Sequence, residues 1–152
     1  MIQLGFQIEG EKQLSRRLKK GSLSVSQWQK TFSKTGIYLK RFFSNDVFAT
    51  EGSVIGEPWE PLSEATIRQK AKRGYPSKPL VGSGRMKGSF RSVATPRMVE
   101  VYNTADYFKY HQSRQPRTTN LPRRVMMKLD MLRKQIIVKM FQKEINKNLN
   151  KK

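Results

Sequence analysis

Twenty more basic than acidic side chains on a chain of only 152 residues set the first limit on what this protein can be. Against 31 Lys and Arg stand 11 Asp and Glu, with a single His. Unbalanced repulsion of that size works against compactness, so the folded chain needs a polyanion, an acidic protein surface or salt beside it. A solitary soluble monomer is disfavoured. The excess is uneven: residues 101–152 carry 13 basic and 3 acidic groups, half of the net charge.

A hydrophobic fraction of 36% in this length gives one domain, 1–152, with a thin core. Two Trp, eight Phe and five Tyr, spread over most of the chain, separate it from a disordered basic tail. With no cysteine, disulfide frameworks, thiol nucleophiles and Cys-type zinc sites are excluded. His111 alone offers little for a metal cage or a His-based dyad. No apolar run approaches the roughly 20 residues a bilayer requires, and Met1–Phe6 lacks the basic and apolar regions of a secretory signal. The expectation is a cytoplasmic product with no membrane contact.

Alternation of Ile2, Leu4, Phe6 and Ile8 with polar neighbours predicts a half-buried N-terminal strand. Leu14 and Leu18, four apart among charges, predict a short helix ending near Gly21. Val25, Trp28, Phe32, Leu39 and Phe42 keep helical spacings, with Ser24 as N-cap and an end at Asn45-Asp46, or at the latest Gly52. Gly36 inside this helix implies either close packing against another backbone or a bend.

Ser63 followed by Glu64 predicts a helix from 64 to 72, closed by Gly74. A short helical turn started by Ser83 buries Met86 and Phe90. Two β-like runs around Thr95-Pro96-Arg97-Met98 predict a hairpin over 91–103, with Val99 and Val101 on one face. Tyr107, Phe108 and Tyr110 are expected against the sheet, and Ser113–Arg124 is expected to be a mobile loop. A final helix from about Asp130, its N-cap, carries rows Leu132, Ile136, Met140 and Ile137, Phe141, Ile145, Leu149, and residues 145–152 are expected to fray. Lys139, Lys143, Lys147 and Lys151, each four apart, make one edge a positive ladder. The expected class is α+β: a small antiparallel sheet of the N-terminal strand and the hairpin, flanked by three to four helices.

Chemistry for turnover is sparse. The acids are scattered, and the one local group, Glu57, Glu60 and Glu64, reads as a turn before a helix N-terminus that favours negative charge. His111 has no acid at a suggestive spacing and reads as a capping or interface residue. Gly82-Ser83-Gly84 lacks the third glycine and preceding strand of a phosphate loop. No catalytic, cofactor-binding or metal residue is assigned, and no cofactor is expected. The ladder and the arginines, Arg117, Arg123, Arg124, Arg133, Lys139, Lys143 and Lys147, are the candidate interface or DNA-facing set. Without aromatics among them, their chemistry suits phosphates rather than bases.

The middle of the chain resembles the phage virion morphogenesis family, which includes the Mu-like morphogenesis and P2-like tail completion proteins. The residues are Trp59-Glu60-Pro61-Leu62-Ser63 with Thr66 and Lys70, then Leu80, Gly82-Ser83-Gly84-Arg85-Met86 and Ser89. After the hairpin come Tyr107, His111-Gln112 and Leu121-Pro122-Arg123-Arg124. Ser83 stands where the family has Thr, Met86 where it has Leu, and Phe108 where it has Ala. The resemblance implies a structural virion protein that completes the tail and joins it to the head, as a ring, often six-fold, around the DNA channel of the neck. Its implied partners are copies of itself, neighbouring neck and tail proteins and packaged DNA, with assembly in the host cytoplasm. Trp59, Pro61 and Leu62 would anchor a loop to the sheet, Ser63 would cap a helix beside Thr66, and Gly84 would allow a tight turn before Ser89. His111 and Gln112 would bond across an element or subunit boundary, Arg123 and Arg124 would lie at an interface, and Pro122 would be a structural residue of the same motif. The alternative from charge alone is a free-standing basic nucleic-acid-binding protein, and a nucleic-acid enzyme is the third class.

Overall fold

A computed structural model describes residues 25–113 and 121–149. The expected N-terminal strand, the helix before Gly21, the Ser24 cap and Arg117 lie outside the described residues. In chain order the elements are α1 (Val25–Arg41), a π-helical turn (Phe42–Asp46), α2 (Val47–Ala49) and a 3-10 turn (Ser53–Ile55). Then follow α3 (Glu64–Lys72), α4 (Arg85–Gly88), β1 (Phe90–Ala94), β2 (Val99–Asn103), α5 (Phe108–Gln112) and α6 (Met131–Leu149). The fold is α+β, and the described sheet is the two-stranded hairpin β1–β2. Thr95 N–H donates to Met98 O at 2.8 Å and Thr104 N–H to Ser89 O at 3.0 Å, which sets Ala94 opposite Val99. In that register Val99 and Val101 are buried and Tyr102 is exposed, as the alternation requires.

The described chain divides into two compact units. One comprises 25–38, 92–102 and 131–149. Here α1 presents Trp28 and Phe32 to Phe141 of α6, stacked at 5.7 Å in the first case and edge-on at 5.0 Å in the second. Such pairs add about 0.5–1.5 kcal/mol beyond area burial. Close packing is what Gly36 provides: a Cβ there would come within 2.8 Å of Val99 Cγ2 and 3.1 Å of Ser92 Cβ. The helix continues through Gly36 unbroken, so the approach of the hairpin offsets the roughly 1 kcal/mol that glycine costs a helix. Thr35 is fully buried, and its hydroxyl is satisfied by Thr31 O at 3.0 Å.

In α6 the two expected apolar rows are unequal. Ile137 is buried and Phe141 half-buried, whereas Leu132 is 53% exposed. The inward stripe is centred on Arg133, Ile137 and Phe141, and Arg133 is itself buried. The helix runs through Leu149, into the stretch expected to fray.

The other unit comprises 39–91, 103–113 and 121–130. Its helical start passes beyond Asn45-Asp46 to Ala49, because a π-helical turn is inserted: Val47 N–H bonds to Phe42 O, five residues back. This spacing sets Phe42 with Val47 and Phe43 with Phe48 on the inner side, and all four are buried. Phe90 is the hub of the core, with Phe43 and Phe48 at 6.3 Å and Phe108 at 5.9 Å. Full burial of each such ring contributes about 1.5–3 kcal/mol.

Ser63 caps α3, accepting from Thr66 N–H at 3.3 Å. Before α4 the cap is Gly84, at φ +77°, and not Ser83, since a left-handed residue turns the chain most cheaply where no Cβ is present. Of the three aromatics expected against the sheet only Phe108 packs so; Tyr107 and Tyr110 are 36% and 53% exposed. The stretch expected as a mobile loop is ordered in its described part, 121–124, where Arg124 is buried.

Candidate functional site

Three distant stretches of the second unit, 59–63, 111–112 and 121–128, meet through side chains that bond to backbone. Trp59 is buried edge-on against Phe48 at 5.2 Å, and its Nε1–H donates to Val125 O at 2.7 Å. The Gln112 amide saturates the next two residues: Met126 and Met127 N–H donate to its Oε1 at 2.9 and 3.0 Å, and its Nε2 donates to Met127 O at 2.7 Å. A buried extended segment needs its peptide groups satisfied, and a side-chain amide offers both a donor and an acceptor.

Arg124 closes the frame from the other side. Its Nε and Nη2 donate to Glu60 O at 3.0 and 2.8 Å, Nη2 also reaches Pro61 O at 3.3 Å, and its own N–H donates to His111 O at 3.1 Å. Burial pulls the guanidinium below its ordinary pKa, and the Glu60 charge opposes that shift. Arg124 is therefore a strut and not an exposed interface residue as the sequence suggested. Replacing Arg124 by Met, which keeps the stem but removes the donors, is expected to cost about 2–3 kcal/mol by leaving part-buried carbonyls unpaired. Thermal unfolding followed by circular dichroism should show the midpoint lower by about 5–10 °C, with Arg124→Lys recovering little of it.

Arg123 stays at the surface, 3.6 Å from Glu57 Oε2, while Lys128 Nζ holds Glu57 Oε1 at 2.7 Å. Glu64 pairs with Arg68. Glu57 and Glu64 thus hold separate basic partners, while Glu60 contributes its backbone carbonyl to Arg124. Among the described residues no group of three or more His, Cys, Asp or Glu is placed to hold a metal ion.

The remaining motif residues shape local turns. Ser63 Oγ and Thr66 Oγ1 lie 2.9 Å apart, Ser89 Oγ donates to Arg85 O at 2.6 Å, and Pro61 is exposed while Leu62 and Pro122 are half-buried. The Trp59 loop is anchored to the 124–125 segment through side-chain-to-backbone bonds from Trp59 and Arg124. The Lys70 ammonium donates to Lys78 O at 2.6 Å and to Val81 O, tying down the proline-containing connector. Desolvation and then the Arg124 charge lower its pKa. Beside it, Leu80–Met86, Tyr107 and buried His111 line a cleft of about 260 Å³.

The chain matches no protein-family model, no curated protein and no solved structure.

In the first unit Lys139, Lys143 and Lys147 are exposed on α6. Two like-charge pairs at four-residue spacing cost a helix about 0.2–0.5 kcal/mol each. Arg133, named with them from sequence, is buried. What sequence reasoning missed is the receiving segment Val125-Met126-Met127, all buried. Its one signal was three consecutive apolar residues after an arginine pair.

Proposed function

We propose that this protein is a structural component of a phage neck, completing the tail and joining it to the head as one subunit of a ring. The supporting observation is the frame itself. Trp59, Gln112 and Arg124, residues of the motifs that resemble the virion morphogenesis family, each spend a side chain on the backbone of a distant segment. These are roles for a rigid interaction scaffold, with no turnover. A thin core and a charge of +20 fit a subunit whose neighbours bury further surface and offset its repulsion. Arg123, exposed beside the frame, is the residue of this cluster positioned to meet such a neighbour.

Light scattering at moderate salt, with and without purified tails, tests the proposal. Discrete multimers, six-fold or larger, or stoichiometric attachment to tail ends are the expected result. A monodisperse monomer that ignores tails and shifts DNA would replace it with the free-standing nucleic-acid-binding reading.

A further inference from the structure

Between Lys139 and Lys147 every exposed residue of α6 is a hydrogen-bond donor without negative charge: Lys139, Gln142, Lys143, Asn146 and Lys147. The acid of this helix, Glu144, is turned toward the half-buried side and accepts from Asn148 Nδ2. None of the three lysines has an ion-pair partner among the described residues. On a helix rising 1.5 Å per residue, lysines four apart stand about 6 Å from one another along the axis, comparable with successive phosphates of one strand. Of the other basic candidates, Arg124 and Arg133 are buried and Arg123 is paired with Glu57.

We infer that this outward face of α6 is a sequence-independent contact surface for the phosphates of duplex nucleic acid. One feature separates it from a surface for an acidic protein. A stable protein interface needs apolar or aromatic anchors at its centre; the exposed apolar residues of α6, Met131, Leu132 and Val138, lie before Lys139, and the exposed face from 139 to 147 has none. Phosphate oxygens accept from its ammonium and amide donors. The absence of exposed aromatics along the same stretch also removes the stacking platform that single strands require. The inference goes beyond the neck reading, since the contact belongs to one subunit and exists whether or not a ring forms.

The test is fluorescence anisotropy of the full chain with a labelled random-sequence duplex, titrated at several salt concentrations. Each phosphate neutralised contributes about 0.9 to the slope of log affinity against log salt. The variant Lys139→Gln/Lys143→Gln/Lys147→Gln should therefore flatten the slope by about 3, losing roughly 40-fold less affinity than the parent between about 50 and 200 mM salt. A control of equal charge change, Lys40→Gln/Lys72→Gln/Lys87→Gln, should leave the slope near the parent's, and Lys→Arg at the three α6 positions should restore it. Circular dichroism checks that each variant keeps its helix. The proposal is overturned if both triple variants lose slope equally, if neither does, or if polyglutamate of matched charge competes as well as unlabelled duplex. The last outcome would assign the face to an acidic protein. None of these results alters the particle mass with tails, so failure here and failure of the neck reading are separately visible.

Discussion

Trp59→Ala should be the most damaging side-chain truncation in the chain, with about 3–5 kcal/mol lost and the unfolding midpoint lower by about 10 °C or more. The cost has two parts. The ring fills the space against Phe48, and its N–H satisfies the Val125 carbonyl at 2.7 Å. Trp59→Phe separates them, because it keeps most of the apolar volume and gives up the donor, and it should recover more than half of the loss. Urea unfolding of the two variants measures the difference. Equal damage from both would mean that the hydrogen bond carries the site and the ring contact little.

Gly52→Ala is expected to be nearly as costly, at about 3 kcal/mol or more, although only a methyl group is added. Gly52 sits at φ +82°, a region that costs an L-residue about 1–2 kcal/mol. Its new Cβ would also overlap the Glu57 carbonyl oxygen and lie 2.6 Å from Trp59 Nε1. Backbone cannot yield as a flexible side chain can, since Gly52 O already accepts from Ile55 and Glu57 N–H. Gly56→Ala is the matched control: its φ of +68° is similarly left-handed, but a Cβ there meets nothing within 4 Å. Gly56→Ala should cost only the conformational part, and the gap between the two variants in denaturant titration reads the collision directly. If the two cost the same, the collision is relieved by movement of the turn and the Trp59 loop is softer than its bonding implies.

Elements governed by neighbours in sequence were legible. Ser63 and its helix, the Thr95–Met98 turn and the Val99 and Val101 alternation follow from local chemistry and period; at Gly36 the sequence leaves close packing and a bend open, and Ser92 and Val99, which decide for packing, lie far off in sequence. The site was legible in its residues but not in its connections. Trp59, Gln112 and Arg124 carry motif positions, yet nothing in their spacing says that Trp59 and Gln112 serve the backbone of 125–127 while Arg124 serves that of Glu60 and Pro61. Arginine is read from sequence as a surface residue; Arg124 is buried because backbone acceptors far off in sequence, Glu60 O and Pro61 O, receive its guanidinium, and Arg133 is buried as well. Tyr107 and Tyr110 were misjudged for the converse reason, since an aromatic with a polar tip is content at the surface. The helix ends at Ala49, between the two expected limits of Asn45-Asp46 and Gly52, and the π-helical turn that carries it there has no signature in the three- and four-residue spacing.

That wide turn also bears on how kinship would be traced for this chain. Any homologue whose helix is α throughout would hold the same two buried pairs with one residue fewer between them, so its alignment would open a single-position gap within 43–47. An ungapped comparison would instead carry every later position out of phase by about 100° of helix. It would set buried residues against exposed ones up to Ala49, and genuine ancestry would be scored as chance.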